Sequence, residues 1–129
     1  MILDTSALLA VLFKENDAEL YATAIENAEF CLVSAATFVE LYMVLESNSG
    51  ALGILQCENF FRGNAIEIEP FTERQAYAAR EGFSVYGKGR HPAGLNLGDC
   101  FSYALAKVSG EPLLFKGDDF RKTDIVAAI

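Results

Sequence analysis

Apolar and polar positions fall in blocks along this chain. Met1–Leu3 is wholly apolar and long enough only for a buried strand, and "FCLVS" (Phe30–Ser34) and "PLLFKG" (Pro112–Gly117) have the same character. "AIEIEPF" (Ala65–Phe71) alternates instead and predicts a third strand, between those two in chain order. Helical patterns separate the strands: Ser6–Phe13, Ala18–Ala28 after the polar break Lys14–Asp17, and Ala35–Ser47 behind Ser34. "NSG" (Asn48–Gly50) predicts a break before a further helix over Ala51–Phe61. Thr72 reads as an N-cap for a helix reaching about Tyr86, and Leu97–Gly110 reads as the last helix, with Gly110 as its stop. "GKGRHPAGLN" (Gly87–Asn96) is a loop, and Thr123–Ile129 is expected to add a short edge strand.

Mostly apolar strands separated by helices predict a parallel sheet covered on both faces. In such sheets ligands bind beyond the carboxyl ends of the strands. That rule gives weight to the acids. Asp4 directly follows the first strand, and Asp118 and Asp119 follow the fourth. Glu40 interrupts an apolar helix, between Val39 and Leu41, and Asp99 lies in the first turn of the helix behind the glycine-rich loop.

Each acid alone has an ordinary explanation. Asp4 suits a helix N-cap, Asp99 a favourable helix dipole, Asp118 and Asp119 a turn, and Glu40 an exposed helix face. Their joint placement at one sheet edge is what points to chemistry. Clustered carboxylates repel unless a cation neutralises them, and an oxygen-only donor set selects Mg²⁺, with Mn²⁺ as substitute. Such an ion suits phosphodiester hydrolysis.

Composition narrows the class. The 129 residues predict one domain over 1–129, and 52% hydrophobic with 22% charged residues suits a packed globular chain. No apolar run approaches the roughly 18 residues of a membrane span, and no signal-peptide pattern opens the chain, so a soluble cytoplasmic protein is expected. Cys31, Cys57 and Cys100 read as buried thiols. A formal net charge of −8 argues against general nucleic-acid binding and for a cation or a basic partner. Thr5 and Ser6 have no histidine partner, so a serine hydrolase is a poor reading. "GKGRHPAG" lacks the Walker spacing. Ser6 stands where a haloacid-dehalogenase-type enzyme needs a second aspartate, and the acid and lysine pattern of receiver domains is missing.

"MILDTSALLA", the "SAATFVEL" helix with Glu40, "YGKGRHPAGLNLGDCFSYALAK" and "PLLFKGDDFRKTDI" together resemble the PIN domain ribonucleases, and within them the VapC toxins of type II toxin–antitoxin pairs. The resemblance covers nearly the whole chain. It implies a three-layer α/β/α sandwich around a central parallel sheet of four to five strands. It also implies metal-dependent endonuclease cleavage of RNA, usually tRNA or rRNA, with inhibition by a VapB-type antitoxin and assembly as a homodimer. The family's acidic quartet maps onto Asp4, Glu40, Asp99 and one acid of "GDDF". That fourth motif is displaced here, so Asp118 is the first choice and Asp119 the second. Ser6 maps onto a hydroxyl that supports the first aspartate. Lys88, Arg90, His91, Lys116 and Arg121 are expected to line an RNA groove, with Arg80 and Lys122 as weaker candidates. His91 is not required as a base. A nuclease-inactive partner of an antitoxin repressor is the alternative reading.

Overall fold

The computed structural model describes all residues, 1–129. The strands are β1 (Ile2–Leu3), β2 (Cys31–Ser34), β3 (Ile66–Glu69) and β4 (Leu113–Leu114). They form one parallel sheet in the order β3-β2-β1-β4. The helices are α1 (Thr5–Leu12), α2 (Ala18–Glu26), α3 (Ala35–Gly63), α4 (Glu73–Tyr86) and α5 (Leu97–Ser109). A single 3-10 turn, Phe120–Lys122, follows β4.

The period of two along a strand divides the core. Leu3, Cys31, Val33 and Leu114 point to one face and pack with Ala7, Leu8, Ile25, Leu41 and Leu45 of α1, α2 and α3. Ile2, Leu113 and Phe115 point to the other and pack with Ala79 of α4 and Cys100, Tyr103 and Leu105 of α5. Three layers result, as the PIN-like pattern implied. The three cysteines are free and buried within these cores. No helix is long and apolar enough to cross a membrane.

Three boundaries differ from the sequence expectation. The break at Asn48–Gly50 is a kink within α3, confined to Gly50, whose φ of 57° is one that glycine tolerates. The fourth strand is only two residues long, because Lys116 turns its main chain toward Ser6 and Gly117 takes a φ of 98°. The tail does not form a fifth strand. It makes one parallel bridge, Leu113 to Ala127, held by hydrogen bonds from Leu113 N to Val126 O and Ala128 N to Leu113 O. β3 is an edge strand, and its burial follows the alternation only at its start: Ile66 is buried, whereas Glu67 and Ile68 are both exposed.

Candidate active site

Asp4 is at once a helix cap and a buried acid. It stands at the end of β1 as the N-cap of α1, where its Oδ2 accepts the Ser6 N–H at 3.0 Å. The same oxygen accepts the Ser6 hydroxyl at 2.6 Å, and Oδ1 accepts the Ser102 hydroxyl from α5 at 2.6 Å. Only 5% of the residue is exposed. The capping explanation and the chemical explanation of Asp4 are therefore compatible.

Asp99 also has two jobs. It forms a capping box with Asn96, each side chain accepting the other's backbone N–H at 2.9 Å. Its carboxyl is nevertheless pushed up to about 6. Burial is the main cause; the Asn96 N–H opposes it, and the charges of Asp4 and Asp119 add to it. Glu40 is raised as well, first by burial and then by Asp4 and Asp99. It accepts no hydrogen bond from the protein. Its carboxylate lies so close to the main chain of α5 that a Cβ at Gly98 would collide with Oε2.

The charge of Asp4 thus reaches both Glu40 and Asp99, Asp99 reaches Glu40, and Asp119 reaches Asp99. Of the adjacent pair after β4, Asp119 is the one acting on Asp99, whereas Asp118 is not among the charges acting on it. Both are exposed. No lysine or arginine enters this cluster; the chain's ion pairs lie elsewhere. Nor do three of its carboxylates stand at the spacing of a closed metal cage. The donor chemistry fits a hard divalent cation all the same. It is oxygen-only, mutually repelling and without an internal counter-charge, and it includes a glycine-lined niche for Glu40.

Most of the cations singled out in the sequence also make local contacts. Lys116 is paired with Glu15 and, at 2.8 Å, with Asp17. Arg90 lies over the Phe83 ring, and Arg121 lies over Phe115 while donating to the Ile129 carbonyl. His91 accepts the Ala93 N–H through Nδ1 and meets Tyr86 edge-on, so it shapes its own loop. Arg80 lies over Tyr77, and Lys122 reaches the Pro92 carbonyl. Lys88 is exposed.

Three residues of the site escaped sequence reasoning: Ser102, Thr37 and Gly98. A signal for the first two existed. Thr37 lies three residues before Glu40 and Ser102 three residues after Asp99, so each hydroxyl shares a helix face with an acid.

Comparison with known proteins places the chain in a family. A family model described as the PIN domain matches residues 1–126. "VapC ribonuclease Mb0640" of Mycobacterium bovis is 48% identical over 125 residues, covering 97% of this chain and 95% of that protein. "Ribonuclease VapC" of Mycolicibacterium smegmatis is 48% identical over 127 residues, 98% of each chain. Among solved structures, the Mycobacterium tuberculosis VapC20, titled a sarcin-ricin loop cleaving toxin, superposes with a TM-score of 0.77 at 16% identity. That match covers 97% of this chain and 95% of the other.

Proposed function

The chain belongs to the PIN domain family, among its VapC ribonucleases, and on that footing we propose that Asp4, Glu40, Asp99 and Asp119 hold a divalent cation and hydrolyse RNA phosphodiester bonds. The observation that carries this reading is the convergence at one sheet edge of Asp4, buried and fixed on both oxygens, with Glu40, which lies against Gly98, and Asp99, none of them paired with a lysine or arginine. Mg²⁺ is the expected ion, with Mn²⁺ as substitute. When bound, such an ion polarises a phosphoryl oxygen and makes water easier to deprotonate.

The chain's own residues divide the remaining work. Asp4 is fixed by donors on both oxygens, so it serves as an anchor. Asp99 is held by its capping box at the mouth of α5. Glu40 accepts no hydrogen bond and has a raised carboxyl, which suits it to take a proton from the attacking water. In the hydrolysis that water adds to phosphorus, one P–O ester bond breaks, and the leaving oxygen gains a proton. Asp119 contributes charge from the segment after β4, with Asp118 as its neighbour. Lys88 and Arg90 at the loop tip are the exposed cations best placed to meet an RNA backbone.

A VapB-type antitoxin is the expected inhibitor, drawn by the same uncompensated acids. Assembly as a homodimer belongs to this reading. We read the chain as a single domain over 1–129.

The test is cleavage of structured RNA by the purified chain with Mg²⁺ or Mn²⁺, beside EDTA and beside Asp4→Ala. Cleavage that needs both the ion and Asp4 is expected. Cleavage that survives EDTA or the loss of Asp4 would overturn the assignment.

A further inference from the structure

Asp4 owes half of its fixation to a residue 98 positions away. The Ser102 hydroxyl donates to Oδ1 at 2.6 Å, and behind it the Thr37 hydroxyl lies 3.3 Å from Ser102 Oγ. Ser102 is 0% exposed and Thr37 1%. A serine hydroxyl has one proton. Since Ser102 gives its proton to Asp4, Thr37 must donate to Ser102, and the chain of hydrogen bonds has a direction. The other oxygen of Asp4 is held in the same manner. Ser6 donates to Oδ2 at 2.6 Å and accepts the Lys116 N–H at 2.9 Å. Each hydroxyl therefore has a donor behind it that turns its proton toward the carboxylate.

The geometry matters because the carboxylate of an aspartate rotates broadly about its last bond. Ser6 alone, two residues from Asp4, fixes one oxygen from the side of α1. Ser102 fixes the other from α5. With Thr37, it links β1 to the helices that carry Glu40 and Asp99. Two hydroxyls buried in an apolar interior are costly unless they are bonded, and here their bonding converges on one acid. We infer that Ser102, oriented by Thr37, is a positioning residue that sets the plane of the Asp4 carboxylate for the divalent cation. The inference rests on the reading of Asp4 as a ligand.

The experiment is calorimetric titration of the full-length chain with Mn²⁺ alone, without RNA. It compares wild type, Ser102→Ala, Thr37→Val, Thr37→Ser and Asp4→Asn, with thermal unfolding to confirm that each variant is folded. Loss of a group that orients a metal ligand typically weakens binding by about 10- to 100-fold. Ser102→Ala is expected at about 10-fold. Thr37→Val keeps the shape and loses the hydroxyl, and is expected to show a smaller loss. Thr37→Ser keeps the hydroxyl and is expected to bind as wild type does.

If Asp4→Asn loses Mn²⁺ while Ser102→Ala and Thr37→Val bind it normally, the positioning role is wrong and the ligand reading stands. If Asp4→Asn binds normally, the ligand reading fails and the inference falls with it. Equal losses in Thr37→Val and Thr37→Ser would make Thr37 a packing residue and overturn its part. Should Ser102→Ala fail to fold, the Thr37 pair decides.

Discussion

Two groups of acids touch the segment after β4, and the protein treats them in opposite ways. Glu15 and Asp17, in the turn between α1 and α2, close on the Lys116 ammonium. The Lys116 hydrogen bond holds the Asp17 carboxyl below its ordinary value, and the two acids raise Lys116 in return. Asp4, Glu40, Asp99 and Asp119 have no such partner, and burial plus mutual repulsion raises Glu40 and Asp99. The first group is neutralised by a lysine at the surface; the second has no such partner and runs from buried Asp4 through half-buried Glu40 and Asp99 to exposed Asp119. The chain places a lysine on the first group and none on the second, which is the contrast that the proposed cation site rests on.

The sharpest way to break the contrast is to remove an acid from the uncompensated group. Asp4→Ala is expected to lower RNA cleavage by about 1,000-fold or more, the scale of several kcal/mol of lost transition-state stabilisation. Unchanged turnover in that variant would remove Asp4 from the mechanism. Next in size is Gly98→Ala. The added methyl collides with Glu40 and must push its carboxylate aside. A displacement of about 1 Å costs on the order of 100-fold in rate, to be read in single-turnover cleavage with the fold checked by circular dichroism.

The pH response sharpens the same point. The folded chain holds the Asp99 proton more tightly than the unfolded chain does, with a carboxyl raised from 3.8 to about 6. Without a divalent ion, this group therefore makes the protein less stable as pH rises from about 4 to about 6. Asp99→Asn is expected to flatten that part of the stability profile, because its amide keeps an acceptor for Asn96 and loses the charge. Thermal unfolding across that range, wild type against variant, gives the difference directly; parallel profiles would contradict it.

The smallest effect belongs to the neutralised group. Lys116→Met removes a cation from exposed acids, and exposed ion pairs contribute little. A slight fall in the unfolding temperature that disappears in high salt is expected, with cleavage close to wild type. A large loss of cleavage would mean that Lys116 serves the site directly.

Much of this was legible from residue patterns. Short apolar runs separated by helical segments specify a parallel sheet, and the acids after the first and last strands follow from its polarity. Ser34 before its helix, the cap at Thr72 and the stop at Gly110 obey local rules that operate without tertiary context, whereas the Asn96 cap was hidden at the end of the glycine-rich loop. The rest depended on long-range contacts. Nothing local reveals that Ser102 meets Asp4, since the two are brought together only when α5 packs against β1. Nor does sequence decide between Asp118 and Asp119, because adjacent residues in a tight turn face different ways. The local partners of the candidate groove cations were hidden for a related reason. Arg90 and Arg121 have aromatic faces within reach, and Lys116 has acids, which a list of charges does not disclose. The short fourth strand follows from Ser6, which takes the Lys116 N–H out of the ladder.

The central claim is that the uncompensated acids form a site for a divalent cation. Calorimetric titration with Mn²⁺ near neutral pH, comparing wild type with Asp99→Asn, tests it most directly. Saturable binding to the wild type that is abolished or greatly weakened in Asp99→Asn is the predicted result. Equal binding by both chains, or none by the wild type, would contradict the account.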